Sequence, residues 1–332
     1  MKTKRLFLSI AAMMCVACAC AQSPENTSNT APAVVYFTSD ISPEGLVRVY
    51  DALGVNPQGR VAVKISTGES EKSHNLSPEL IKPLVQKVNG TLVECNTAYE
   101  GPRFTTEAHM KEVEKRGYLD VADVDIMDAD GDMFIAMQDT TWLKHDIVGK
   151  HLANYDYMVN LAHFKGHAMG GFGGVLKNQS IGVASGNGKA YIHTAGANDA
   201  AGNKTAFSNP HGQDAFIEAM AGAAQAVHTY FTDRNGIIYI DVMNNMSVDC
   251  DCNGNPEAPE IANIGILAST DPVALDKACL DLVFNHTNTP GDDNAALIER
   301  IETRHGTHII DYAEQIGLGT TNYTLVNLDE EK

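Results

Sequence analysis

Basic residues are scarce in this chain: 24 lysines and arginines stand against 42 aspartates and glutamates, a formal charge of -18 over 332 residues. Affinity for a nucleic-acid backbone rests on clustered Lys and Arg that release counterions, so no nucleic-acid partner is expected. Long apolar runs are missing after residue 21. None approaches the roughly 20 continuous apolar residues of a spanning helix, and no transmembrane segment is expected. Also missing are the G-x-x-x-x-G-K-[ST] phosphate loop, the G-x-G-x-x-G fingerprint and the G-x-S-x-G elbow, so no motif supports nucleotide binding or a hydrolase triad. No Pro/Ser-rich or charge-run linker interrupts residues 31–327, and there is no internal repeat. With 44% hydrophobic and 20% charged residues, the composition is that of one globular unit.

The amino terminus reads as an export signal. Lys2, Lys4 and Arg5 form a positive segment, residues 6–16 are apolar but too short to span a bilayer, and Ala19 and Ala21 flank a small-x-small cleavage site. Residues 1–21 are therefore expected to be a signal peptide and the protein to be exported, periplasmic or secreted. A lipid anchor through Cys18 or Cys20 is the competing reading, although neither is preceded by the usual leucine three positions upstream. Without the leader, 21 basic residues face 42 acidic ones, a charge of -21 that disfavours anionic membrane surfaces. Residues 22–32 read as a polar, disordered leader, 33–327 as the globular domain, and 328–332 as an acidic tail.

Within the domain, strand and helix signals alternate. Residues 34–38, 61–65, 91–95, 157–161 and 237–242 are short apolar runs of buried-strand type. Ser42 with Pro43 and Ser77 with Pro78 supply a cap and a first-turn proline for helices, and further helices are expected at 107–116, 214–231, 272–284 and 293–302. The alternation predicts an α/β fold, a mainly parallel or mixed sheet covered by helices. Ligands of such folds sit at the carboxyl ends of strands.

The segments after two strands carry the chemistry. Residues 162–178 (AHFKGHAMGGFGGVLKN) concentrate two histidines, two lysines and five glycines, and glycines let the backbone approach a ligand and form anion-binding nests. After the strand at 237–242 come Cys250 and Cys252. A disulfide between residues two apart closes a small strained ring, whereas two thiolates at this spacing can converge on a metal; reduced or intermolecularly bridged thiols are the alternative. Cys250, Cys252, His163 and His167 together would make a four-ligand site suited to zinc or iron. Cys279 lies in a helix and reads as a small buried hydrophobe. Asp128, Asp130 and Asp132 lack the order and distal glutamate of an EF-hand and read as a solvated turn, and His305 and His308 as helix-end residues.

These blocks, in order 61–69 (VAVKISTGE), 96–103 (NTAYEGPR), 163–178 (HFKGHAMGGFGGVLKN), 249–252 (DCDC) and 265–276 (GILASTDPVALD), resemble the signature blocks of the domain of unknown function 362 family. The resemblance covers roughly residues 33–327. Many members resemble iron-sulfur proteins, with ferredoxin-type cysteine clusters inserted after the Lys-Asn pair. Here residues 194–236 contain no cysteine, so no inserted cluster is expected. Ser66 is a second departure, at a position where members often have histidine.

The resemblance implies a pocket of Lys64, Glu69, Asn96, Arg103, His163, Lys165, His167, Lys177, Asn178, His193, Cys250 and Cys252. The expectation is an exported metal-dependent enzyme acting on a small anionic substrate. Lys64, Asn96, Arg103, Lys177 and Asn178 would bind that substrate, and Lys165, His193 and Glu69 would do the chemistry. Two other classes remain open: a protein that binds a metal or small anion without turnover, and a thiol or iron-sulfur redox protein working with a separate partner.

Overall fold

The computed structural model describes residues 31–198 and 207–330. The expected signal peptide and lipid-anchor cysteines lie outside the described residues, as do residues 22–30 of the leader, residues 199–206 and the last two residues.

In the first half of the domain the chain alternates β1 (Ala33–Thr38), α1 (Pro43–Ala52), β2 (Val61–Lys64), α2 (Pro78–Lys87), β3 (Gly90–Glu94), α3 (Thr106–Lys115) and β4 (Val124–Ile126). The cap residues do what their chemistry predicts: Ser42 Oγ accepts the Gly45 N–H and Ser77 Oγ the Leu80 N–H, each with proline at the first helical position. A hairpin of β5 (Asp132–Ile135) and β6 (Asp146–Gly149) follows, then β7 (Tyr157–His163) and a second hairpin, β8 (Lys165–His167) with β9 (Gly171–Gly173). The remainder is α4 (Val175–Ser180), α5 (Gly186–His193), α6 (Gln213–Thr232), β10 (Ile237–Met243), β11 (Gly265–Ser269), α7 (Pro272–Phe284), α8 (Ala295–Thr303), α9 (His308–Gln315) and β12 (Tyr323–Asn327).

The main sheet is mixed, with eight strands in the order β12-β1-β11-β10-β7-β2-β3-β4. β11 runs antiparallel to both neighbours, while the other pairs are parallel. Side chains alternate between two cores. Tyr157, Val159 and Leu161 of β7, with Ile238, Ile240 and Val242 of β10, pack on the face of α1 and α2. Met158 and Ala162, with Ile237, Tyr239 and Met243, join the core on the face of α4, α6 and α7. This is the two-residue period of a strand buried on both faces.

Two polar residues interrupt the second face and position α4. Asn160 donates to Val175 O at 2.9 Å. Asp276, on α7, accepts the Val175 and Leu176 N–H groups at 2.8 and 3.0 Å, taking up orphan donors of the first turn of α4. The residues read as an acidic tail are partly fastened: Leu328 N donates to Phe37 O at 2.8 Å, and Asp329 pairs with Arg48 at 2.7 Å.

Candidate functional site

β10, β7, β2 and β3 are consecutive neighbours, and their carboxyl ends open into a cavity of about 370 Å³. Each strand end contributes: Lys64 ends β2 and Ser66 follows it, Glu94 ends β3 and Thr97 follows it, Lys165 and His167 stand on β8 just after β7, and Cys250 to Cys252 lie beyond β10. Helices α4 and α5 close the opposite side with Lys177, Asn178, Lys189 and His193.

The two loops rich in special residues do meet. Gly166 N donates to Ser247 O at 2.8 Å, and a Cβ on Gly166 would stand 2.2 Å from Val248 O, so only glycine allows β8 to lie against the segment leading to Cys250. Gly171, at φ +81°, turns the β8–β9 hairpin, and a Cβ there would also meet Gly306 Cα at 2.7 Å.

Buried charge dominates the wall. Lys64 Nζ lies 3.2 Å from Glu94, which also receives Arg103 at 3.3 Å, while Arg103 Nε donates to Glu69 at 2.8 Å. Burial would raise the Glu94 carboxyl, but Lys64 and Arg103 outweigh it and hold it at about 2. Lys165 Nζ sits 2.9 Å from Asp251 and donates to His163 O at 2.7 Å. Burial likewise opposes ionisation of Asp251, and Lys165 and His163 overcome it, holding the carboxyl well below the carboxylate range.

Lys177 has no hydrogen-bond or carboxylate partner among the described residues. Burial, reinforced by Lys165 nearby, pushes its ammonium down to about 7. His193 donates from Nδ1 to Lys189 O at 2.6 Å and stacks on Phe216; burial lowers it to about 4, so the ring is neutral with its lone pair on Nε2. His167 is also pushed well below its ordinary value by burial, then by Lys177. Its Nδ1 accepts the Gly170 N–H at 2.8 Å, which leaves the ring proton on Nε2.

Cys250 and Cys252 are joined in a disulfide, with 5.2 Å between their Cα atoms. This corrects the expectation of two thiolates: the turn through Asp251 brings the sulfurs together within ordinary bridging reach, with Cys252 N donating to Cys250 Sγ at 3.2 Å. A ring nitrogen of His167 and the two sulfurs lie within 4.8 Å of one another, a group that could hold a metal ion. The donor set fits a soft metal only once the disulfide is reduced, and ligation through His167 Nε2 displaces its proton.

Of the residues expected at the site, Lys64, Arg103, Lys165, His167, Lys177, Asn178, His193, Cys250 and Cys252 line the cavity. Three do not. His163 is not free to be the fourth ligand, because Nδ1 faces Asp251 Oδ1 at 2.8 Å and Nε2 faces Asn244 O at 2.6 Å, so both nitrogens are already engaged. Glu69 holds Arg103 and Tyr99 from behind the wall instead of offering a catalytic carboxyl. Asn96 is engaged with Asp128 through its backbone N–H and with Thr106 and His109 through its side chain, and it does not line the cavity. Asp128 itself accepts two backbone N–H groups, Asn96 and Gly186, as a structural turn. Glu94, Asp251 and Lys189 belong to the wall without having been singled out in the sequence. The spacing of Asp251 between the two cysteines is the one signal that pointed to any of them.

A family model described as Domain of unknown function (DUF362) matches residues 61–281. No curated protein matches the chain. Among solved structures, a protein from Thermotoga maritima shares 13% identity at a TM-score of 0.42, over 82% of this chain and 58% of its own. The lactate racemase apoprotein from Thermoanaerobacterium thermosaccharolyticum shares 13% identity at a TM-score of 0.40, over 75% of this chain and 56% of its own. The chain thus spans less than two thirds of either structure, and a likeness this distant carries no argument about activity.

Proposed function

The chain belongs to the domain of unknown function 362 family, and from that premise we propose that it is an enzyme that takes a small anionic substrate into the lysine-lined cavity and moves a proton with Lys177. The observation that carries this reading is the placement of Lys177: it lines the cavity with no hydrogen-bond or carboxylate partner among the described residues, and burial pushes its amine down to about 7, a value matched to proton transfer near neutral pH. Arg103, Lys64 and Lys165 are fixed in place by their carboxylate partners, so the wall presents oriented N–H donors whose charge is already matched. Asn178 is held by Lys64 O and Asn160 Oδ1, at 3.1 and 2.7 Å, so its carboxamide is set in place beside the substrate. The neutral His193 offers Nε2 as a hydrogen-bond acceptor, not as a strong base.

Incubation in D2O with small carboxylates and phosphate esters, followed by proton NMR, tests the reading. Conversion or C–H exchange that disappears in Lys177→Met supports it. Anion binding with neither would make the protein a binding protein and overturn the proposal.

The group of His167, Cys250 and Cys252 favours a second reading, in which the reduced protein holds zinc or iron there. Three protein donors leave an open position, and Lewis-acid polarisation of a substrate oxygen is the chemistry a metal supplies in such a site.

A further inference from the structure

The charges around the cavity do not balance. Lys64 is matched by Glu94, Arg103 by Glu69 and Lys165 by Asp251, at 3.2, 2.8 and 2.9 Å. Two ammonium groups remain. Neither Lys177 nor Lys189 has a carboxylate within ion-pair distance among the described residues, although both line the cavity. Lys189 donates only to a neutral acceptor, Ala184 O, at 2.5 Å. The further carboxyl whose field reaches it, Asp146, is itself pushed up to about 7 by burial.

Removing a charge from water without a partner is costly, and two such charges on one wall repel each other as well. In a chain with a formal charge of -18, placing uncompensated cations together in a cavity is not a consequence of composition. A ligand that brought two negative charges would offset both. Ala98, Ile181, Met169 and Phe207 supply apolar wall for a short carbon frame between or beside those charges.

We infer that the ligand of this cavity is a small dianion, matched in charge by Lys177 and Lys189. The inference rests on the reading of the cavity as an anion site and specifies the charge of what it takes. Dicarboxylates and phosphate monoesters share this chemistry.

Calorimetric titration with two matched pairs at about pH 6.5, where Lys177 is mostly protonated, Asp146 mostly neutral and a phosphate monoester still mostly dianionic, separates the sources. Succinate is compared with succinamate, and propyl phosphate with methyl propyl phosphate; each second compound keeps the frame and loses one charge. In at least one pair the dianion should bind tenfold or more tightly. That ratio should fall towards one in both Lys177→Met and Lys189→Met. Equal affinity within both pairs overturns the dianion while leaving the anion site standing. Binding by none of the four takes down the anion site and the dianion together. Should a variant fail to fold, the wild-type ratios decide alone.

Discussion

His163 Nδ1 stands 2.8 Å from Asp251 Oδ1, so a histidine at the end of β7 clamps the one residue that separates the two bonded cysteines. Lys165 holds the other oxygen of that carboxylate, and all three side chains are buried. The clamp fixes the sulfur loop against the cavity wall. His163 thus acts on the site through Asp251.

Replacing Asp251 by Asn should be among the most damaging single changes, because it leaves Lys165 buried without its counter-charge. A loss of roughly 3–5 kcal/mol is expected in denaturant unfolding at neutral pH. The native carboxyl is held below its unfolded value, so its contribution is present above about pH 4 and fades as pH falls towards the folded value. The variant should therefore lose less further stability than wild type on acidification below pH 4, to the extent that this pair drives the loss.

Asp241 and Asp276 give the opposite sign. Asp241 is fully buried on β10, and burial together with Asp276 raises it well above its ordinary range, while burial lifts Asp276 to about 6. The pair is stable only with a shared proton, so its contribution is complete below about pH 4 and is lost as pH rises through the folded values. Asp241→Asn, which removes one charge and keeps a hydrogen-bond donor for Asp276, should raise neutral-pH stability by on the order of 1–3 kcal/mol. Unfolding titrations at pH 5 and pH 8 check it: the gain should be larger at pH 8.

Lys177 and Lys189 were not equally visible from the sequence. Lys165 and Lys177 stood out because they share one glycine-rich segment with His167, and a strand end is where chemistry collects. Lys189 lies in a short helix capped by Ser185, and only the packing of α5 turns it into the cavity. The pairings of Lys64 with Glu94 and His163 with Asp251 span 30 and 88 residues, beyond any local pattern. Five strands, β1, β2, β3, β7 and β10, were legible from apolar runs, and two caps from Ser-Pro pairs. β11 was not read as a strand at all, since its five-residue run is short and glycine-led, and no local pattern reports its antiparallel direction.

Reduction should change what the protein can bind. Cys95 and Cys279 are buried with thiols pushed up by burial, so a protein of residues 22–332, which lacks the three leader cysteines, should show almost no fast-reacting thiol, and two after mild reduction. One equivalent of zinc should bind the reduced protein and none the oxidised form, as read by elemental analysis after gel filtration. Loss of that uptake in Cys250→Ser with Cys252→Ser would place the metal on the sulfurs.

Lys177→Met should stabilise the free protein, because an ammonium pushed down to about 7 destabilises the fold wherever it is protonated. Wild-type stability should rise with pH from about 7 towards 10, as the unfolded lysine keeps a proton that the folded one has lost. The variant should lack that rise.

The most direct test of the account is the titration of Lys177 itself. Competitive acetylation with a trace of acetic anhydride across pH 5 to 10, read at Lys177 by mass spectrometry, reports when the amine becomes free. The account predicts a midpoint near 7 and protection of Lys177 by a bound anion. A midpoint near 10, unchanged by any anion, would contradict it.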